Sequence, residues 1–252
     1  RDLAGSRVVP FTHFALLANR YMHDHGATPE QFAMVAVKNS SNGALNPNAQ
    51  RQQARTLEEV LAPPQISGTL TKLQCCPVGE GAAAVIVASE DAITRLGLDR
   101  SRAVRVLAST SRSETVYRGE NFDAALTKQT TAQAWAEADL QPADLDVVEL
   151  HDAFTVEELL YVEAMGLCGE GEAAARLADG EFDIGGRVAV STSGGLLSMG
   201  HPIGPTGAGQ ICEIVTQLRR EAGERQHPSA RVGLAHMVGV GAVCVVHVLS
   251  ME

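Results

Sequence analysis

Sulfur, aromatic rings and positive charge are all scarce in this chain of 252 residues. The five cysteines, Cys75, Cys76, Cys168, Cys212 and Cys244, are an odd number and too sparse for a disulfide scaffold. No CxxC pair occurs, so neither a structural zinc site nor any other metal centre is expected. Aromatic residues make up only 4%, with a single Trp. Lys and Arg number 20 against 30 Asp and Glu, a net charge of −10 at pH 7. Non-specific nucleic-acid binding needs a basic face for phosphates, so that class of function is not expected. Long apolar runs are missing too. The least polar stretch, 232–249, is interrupted by His236, His247, Gly233, Gly239 and Gly241, and reads as strands and a turn rather than a membrane span. No secretory signal pattern is present, and reduced thiols suit a cytoplasmic protein. The chain opens at Arg1 and runs quickly into a helical pattern, so its natural N-terminus is expected to lie upstream. What is plentiful is ordinary apolar residue content, 45% against 20% charged. That composition excludes a disordered chain and is enough for one large core or two small ones.

The apolar spacing predicts a helix over 10–26, with Phe14, Leu17, Tyr21 and Met22 on one side. Thr28-Pro29-Glu30 reads as the N-cap and first turn of a second helix running to about Lys38. Residues 39–47, NSSNGALNP, have loop composition. A short helix over 56–61 ends at Pro63-Pro64. The uninterrupted run GAAAVIVAS at 81–89 predicts a strand buried on both faces, followed by a short helix over 90–96 capped by Gly97. Beyond residue 103 strands alternate with helices. Strands are predicted at 103–108, 145–150, 188–191, 232–235 and 243–249, the last two joined around Gly239-Val240-Gly241. Helices are predicted at 127–138, with Trp135 on its apolar side, at 156–165 and at 202–221. The pattern is an α/β fold with a mostly parallel sheet and a closing antiparallel pair.

In open α/β sheets functional groups gather beyond the C-terminal strand ends. His151, His201 and His236 are each predicted near such an end. His201 lies in Gly200-His201-Pro202, at the predicted start of the long helix. A helix N-terminus favours a nearby anion and keeps a His neutral, able to act as a base. The same segment also reads as an ordinary capping loop. Ser193-Gly194-Gly195, before it, allows close backbone approach to a ligand. His151 can donate a hydrogen bond to a carbonyl oxygen, or can be a buried His bonded to backbone. Asp152 can orient it, or cap the helix beginning at Thr155. His236 reads equally as a cleft residue and as core. His247 is a strand residue, and His13, His23, His25 and His227 read as surface or local structure. Vicinal Cys75 and Cys76 read as buried or ligand-lining thiols, and no cysteine sits at a strand-to-helix elbow where an activated nucleophile belongs.

Three segments, GGLLSMGHPIGPTGAGQ (194–210), ELHDAFTVEELLYVEAMGLC (149–168) and LQCCPVGEGAAAVIVASE (73–90), resemble the thiolases. The likeness is to the sterol carrier protein-type, lipid-transfer-protein-like branch, and KNSSNGALNPNAQ (38–50) resembles its loop domain. The resemblance runs almost end to end. It implies a layered αβαβα thiolase fold of two βαβαβαββ halves. Residues 1–72 would be the loop domain, 73–100 the end of the N-terminal half and 101–252 the C-terminal half. It also implies that the nucleophilic Cys belongs to a front segment outside this sequence. His201 matches the histidine that activates that Cys and helps bind an oxyanion. His151 matches the residue that polarises the thioester carbonyl, and His236 the residue that replaces a second catalytic Cys. Cys76 matches a pantetheine contact, and Gly194, Gly195 and Phe154 are candidate substrate contacts. Two departures stand out. Ala153 replaces the proton-shuttling Cys of the branch's HDCF motif, and Met237 replaces the Asn that usually follows His236.

The resemblance implies a coenzyme A thioester as substrate with no further cofactor, a homodimer or homotetramer, and a possible OB-fold acyl-CoA-binding partner. Three functions follow. One is an acyl-CoA acyltransferase (acetyl-CoA acetyltransferase-like) performing thiolysis of 3-oxoacyl-CoA or the reverse Claisen condensation, in lipid or sterol side-chain metabolism. Another is a retro-aldolase cleaving a β-hydroxyacyl-CoA, to which the loss of the HDCF cysteine points. The last is a non-enzymatic CoA- or lipid-binding subunit.

Overall fold

The computed structural model describes residues 9–113, 122–239 and 243–251. Two helices open the chain, α1 (Val9–His25) and α2 (Pro29–Ala44), followed by α3 (Leu57–Leu61) and a small hairpin of β1 (Gln65–Ser67) and β2 (Leu70–Thr71). After α4 (Glu90–Arg95) come β3 (Arg105–Ser113), α5 (Phe122–Ala138), β4 (Val147–Glu149), α6 (Thr155–Ala164), α7 (Ala173–Ala178) and β5 (Ala189–Val190). The chain closes with α8 (Gly195–Ser198), α9 (Thr206–Leu218), β6 (Val232–Gly239) and β7 (Val243–Ser250). The turn expected around Gly239-Val240-Gly241 lies partly outside the described residues.

Five strands form one sheet in the order β3-β7-β6-β4-β5. The three on the β5 side are mutually parallel, and β7 runs antiparallel to both β6 and β3. Alternation along the strands divides the core. Val147, Ala189 and Ala235 pack with Ile214 and Leu218 of α9. Val148, Val190 and Leu234 face the larger cluster built with α1, α2, α5 and α6. On the α9 face Gly233 is required by close packing, since a Cβ there would stand 2.4 Å from Ile214. Among the described residues no helix is long and apolar enough to cross a membrane.

Several sequence expectations change. The second helix does not stop near Lys38 but continues to Ala44. Its loop-like Asn and Ser residues stay helical because the side chains of Asn39 and Asn42 find partners in other elements. The long helix begins at Thr206, not Pro202. Pro205 disfavours helical backbone in the residue before it, so the first turn forms beyond it. The expected buried strand over 81–89 is not a strand. The segment takes no regular structure, and Ile86 and Val87 are 94% and 84% exposed. Apolar β-type sequence needs a sheet edge to satisfy its backbone, and no described strand pairs with it.

Candidate active site

The tip of β4 carries the site. Glu149 ends the strand, Leu150 is buried beyond it, and His151 emerges at the edge of the core. Helix α6 starts at Thr155, so Glu157 lies in its first turn, facing back toward the strand end. Glu157 Oε2 accepts the Phe154 N–H (2.8 Å), and its Oε1 lies 2.9 Å from His151 Nδ1. The Tyr161 hydroxyl donates to the same Oε1 at 3.0 Å. Glu157, which sequence reasoning passed over, therefore orients His151. A carboxylate in the first turn after a His was the available signal.

His151 and His201 meet edge to face, with ring centroids 5.1 Å apart. The hydrogen bonds assign their free nitrogens. The Thr206 hydroxyl donates to Pro202 O (2.7 Å), so it can only accept from His201 Nδ1 at 3.0 Å. His201 Nε2 is then the lone-pair nitrogen, while His151, with Nδ1 on Glu157, likewise keeps Nε2 for a ligand. His201 is depressed to about 4, first by burial and then by the His151 charge. It is neutral, as expected, but through desolvation rather than through a helix terminus.

His236 lies within β6 rather than at its end, and is fully buried. Its Nδ1 accepts the His151 N–H (3.4 Å), and its Nε2 lies 3.0 Å from Thr127 Oγ1 in α5. Both ring nitrogens are used, and burial, with the His151 charge, lowers it to about 3. The three histidines come together, but His236 lies beneath His151 instead of beside it.

Asp152 neither orients His151 nor caps α6. It accepts from Asn39 Nδ2 (2.6 Å) and from the Leu196 N–H of α8 (2.7 Å). Gly194 and Gly195 serve this packing. Gly194 has φ +102° and lies against Gly43, while a Cβ on Gly195 (φ +59°) would stand 2.0 Å from Asp152 Oδ2. Helix α2 and the turn after it supply three donors four residues apart. Lys38 Nζ, Asn42 Nδ2 and Asn46 Nδ2 donate to the carbonyls of Val190 (2.7 Å), Ser191 (3.1 Å) and Ser193 (2.8 Å). The chain leaving β5 is thus held along its length by a segment whose composition reads as loop.

The Cys76 N–H donates to Ala153 O (2.8 Å), which brings this half-buried cysteine to the site. Burial, then the charges of Glu157 and Asp152, push its thiol up to about 12, so it is a neutral lining group. Phe154 is buried under α1, stacked on Phe14 with centroids 4.4 Å apart. A groove of about 960 Å³ runs between α1, α5 and α6, lined by Leu17, Tyr21, Lys128, Trp135 and Glu163, and neither His151 nor His201 is in its walls. Among the described residues no cluster of three or more His, Cys, Asp or Glu side chains is arranged to hold a metal ion.

A mixed sheet with one histidine at the tip of β4 and a second beside it from the turn before α9 defines an α/β site suited to proton transfer. Residues 108–251 match the family described as thiolase C-terminal domain-like. The chain is 39% identical over 246 residues to sterol carrier protein 2 of Oryctolagus cuniculus, covering 94% of this chain and 44% of that protein. It is 41% identical over 232 residues to the benzoylsuccinyl-CoA thiolase subunit BbsB of Thauera aromatica, covering 90% of this chain and 60% of the relative. Among solved structures, the Ltp2-ChsH2(DUF35) aldolase superposes with TM-score 0.82 at 29% identity, over 95% of this chain and 63% of that one. Human mitochondrial 3-ketoacyl-CoA thiolase superposes with TM-score 0.69 at 18% identity, over 95% of this chain and 59% of that one, a likeness of fold. The chain belongs to the thiolase superfamily, in its sterol carrier protein 2-type branch. It spans about half the length of the curated relatives it matches.

Proposed function

We propose that this protein makes or breaks a carbon–carbon bond next to a coenzyme A thioester, as a thiolase-type acyl-CoA acyltransferase. The reaction is thiolysis of a 3-oxoacyl-CoA or the reverse Claisen condensation, in lipid or sterol side-chain metabolism. The observation that carries this reading is the pair of neighbouring imidazoles, each with Nδ1 committed to a protein partner and Nε2 left over. His201, neutral above about pH 4, takes a proton from the attacking thiol. His151, whose Nδ1–H is held by the Glu157 carboxylate, donates to the thioester oxygen in the form that carries a proton on Nε2 as well, and such a preorganised donor lowers the barrier as negative charge develops. His236 supports His151 from below. Cys76, Gly194, Gly195 and Phe154 form or back the substrate-facing wall. The expected domain division at 72 and 100, a homodimer or homotetramer, and a cytoplasmic location belong to the same proposal.

A second reading is favoured by Ala153, which cannot carry the proton of a Claisen step, and by the likeness to an aldolase solved with a DUF35 component. This is retro-aldol cleavage of a β-hydroxyacyl-CoA, with an OB-fold partner protein. Intact mass after incubation with acetyl-CoA or propionyl-CoA, alongside turnover assays, tests both. One added acyl group with 3-oxoacyl-CoA thiolysis supports the acyltransferase. Cleavage of β-hydroxyacyl-CoA without an adduct supports the aldolase. Binding of CoA with neither reaction overturns both and leaves a binding subunit.

A further inference from the structure

Glu149 is buried at the end of β4, two residues before His151, and no role in the chemistry above uses it. Its Oε1 accepts the Ser193 N–H at 2.9 Å, and its Oε2 lies 2.6 Å from Ser193 Oγ. Ser193 Oγ in turn accepts the Gly195 N–H (3.2 Å), so one carboxyl group organises the loop between β5 and α8. Thr192 Oγ1 lies 3.1 Å from Glu149 Oε1 and 3.0 Å from Glu213 Oε1 of α9. A hydroxyl has one proton and cannot satisfy two carboxylates. Glu213 already has its counter-charge, because Arg225 Nη1 and Gln217 Nε2 both donate to its Oε1. Glu149 is hydrogen-bonded to no cation among the described residues. With the Thr192 proton directed at Glu213, the remaining contact of hydrogen-bond length to Glu149 calls for a proton on Glu149.

We propose that Glu149 is a positioning residue that works as a neutral acid. Its proton bridges through the Thr192 hydroxyl to the Glu213 carboxylate, ties the Ser193–Gly195 loop to the tip of β4, and so holds His201 opposite His151. The inference rests on the reading of those two histidines as the reacting pair. The surrounding charges agree with it. From α9, Glu213 faces Glu149 across the Thr192 hydroxyl, with Arg225 paired to Glu213; beyond His151 stands Asp152, with Glu158 of α6 and Lys38 of α2 around it. Burial, then the Glu213 charge, raises Glu149 to about 7. Ionisation therefore sets a second carboxylate against the loop as pH rises through neutrality.

Difference infrared spectra of the whole protein, labelled with carbon-13 at its Glu carboxyls, read this proton without turnover. The expected result is a carboxylic-acid band on the acid side of neutrality, lost with a midpoint near 7 and absent from E149Q. In turnover, kcat of the parent falls on the alkaline side with the same midpoint. E149Q cannot ionise and loses that limb, while KM for the thioester moves less than kcat. A labelled band with that same midpoint that persists in E149Q, the lack of any such band in the parent, or an alkaline limb unchanged in E149Q overturns the proposal. If E149Q does not fold, T192V carries the test. Removing the acceptor hydroxyl shifts the band, and an unmoved band overturns the inference. The infrared result stands even if the substrate reading fails, so the two failures are separable.

Discussion

At the residue scale, chemistry is set by which nitrogen each histidine has to spare. Thr206 takes Nδ1 of His201, Glu157 takes Nδ1 of His151, and His236 has neither nitrogen free. Replacing His201 by Gln removes the base and is expected to lower kcat by at least about 10²-fold, the scale of general-base catalysis, in a thiolysis assay. Because burial holds His201 near 4, the acid limb it contributes in the parent is expected near pH 4 rather than at the ordinary 6.5. A pH profile with its acid limb at the ordinary value would refute the desolvated base. His236 gives a stability test of defined sign. Its folded value, about 3, lies below the unfolded one, so on acidification the unfolded chain takes up a proton that the folded chain refuses. Stability is thus lost as pH falls from about 6.5 toward 3. Urea midpoints measured across that window are expected to fall less steeply in His236→Gln than in the parent.

At the scale of elements, α2 differs most from its sequence reading. Its start was plain: Thr28 accepts the Gln31 N–H while Gln31 Oε1 accepts the Thr28 N–H, and Pro29 takes the first helical position. Its end was hidden, because Asn and Ser are turn formers unless something else holds their side chains. Here Asn39 bridges Asp152 and Glu158, and Asn42 reaches Ser191 O. Burial, then the Glu158 charge, drives the Asp152 carboxyl well above its ordinary range, and the Asn39 amide between them, with Lys38 paired to Glu158 at 3.1 Å, lets the two groups lie together. Asn39→Ala is expected to cost about 2–3 kcal/mol, since it strands two buried acceptors. Thr28→Ala, an end effect, is expected to cost about 1 kcal/mol. Chemical denaturation of the two variants compares them directly, and equal costs would mean that the buried bridge contributes no more than a cap.

For the whole molecule, the contrast is between the parallel strands β4, β5 and β6, buried on both faces, and the segment 81–89, apolar but exposed. Few of its backbone groups are engaged, apart from a contact of the Cys212 thiol with Ala84 O at 3.6 Å. Hydrogen exchange read by mass spectrometry is expected to be fast at the amides of 81–88 and slow in β4 and β6. Slow exchange at 81–88 would mean that the strand its sequence encodes is paired in the protein as isolated.

Local sequence by itself determined the starts of α2, α3 and α4, where caps and proline act within four residues, but not those of α5 and α9, which begin at Phe122 and Thr206 rather than at 127 and 202. It also determined the strand–helix alternation beyond residue 103, because apolar period reports burial directly. Motif order brought His151, His201 and His236 forward as candidates. Only the tertiary structure decided what each does. The pairing of His151 with Glu157, the displacement of Asp152 from His151 to α8, and the sharing of Thr192 by Glu149 and Glu213 join side chains from separate elements. The exposure of 81–89 was decided in the same way, since a strand needs a neighbouring edge and no local propensity supplies one. Hydrogen bonds and charges act over a few ångströms of space, whatever the distance along the chain, so their partners are legible only once the chain has folded.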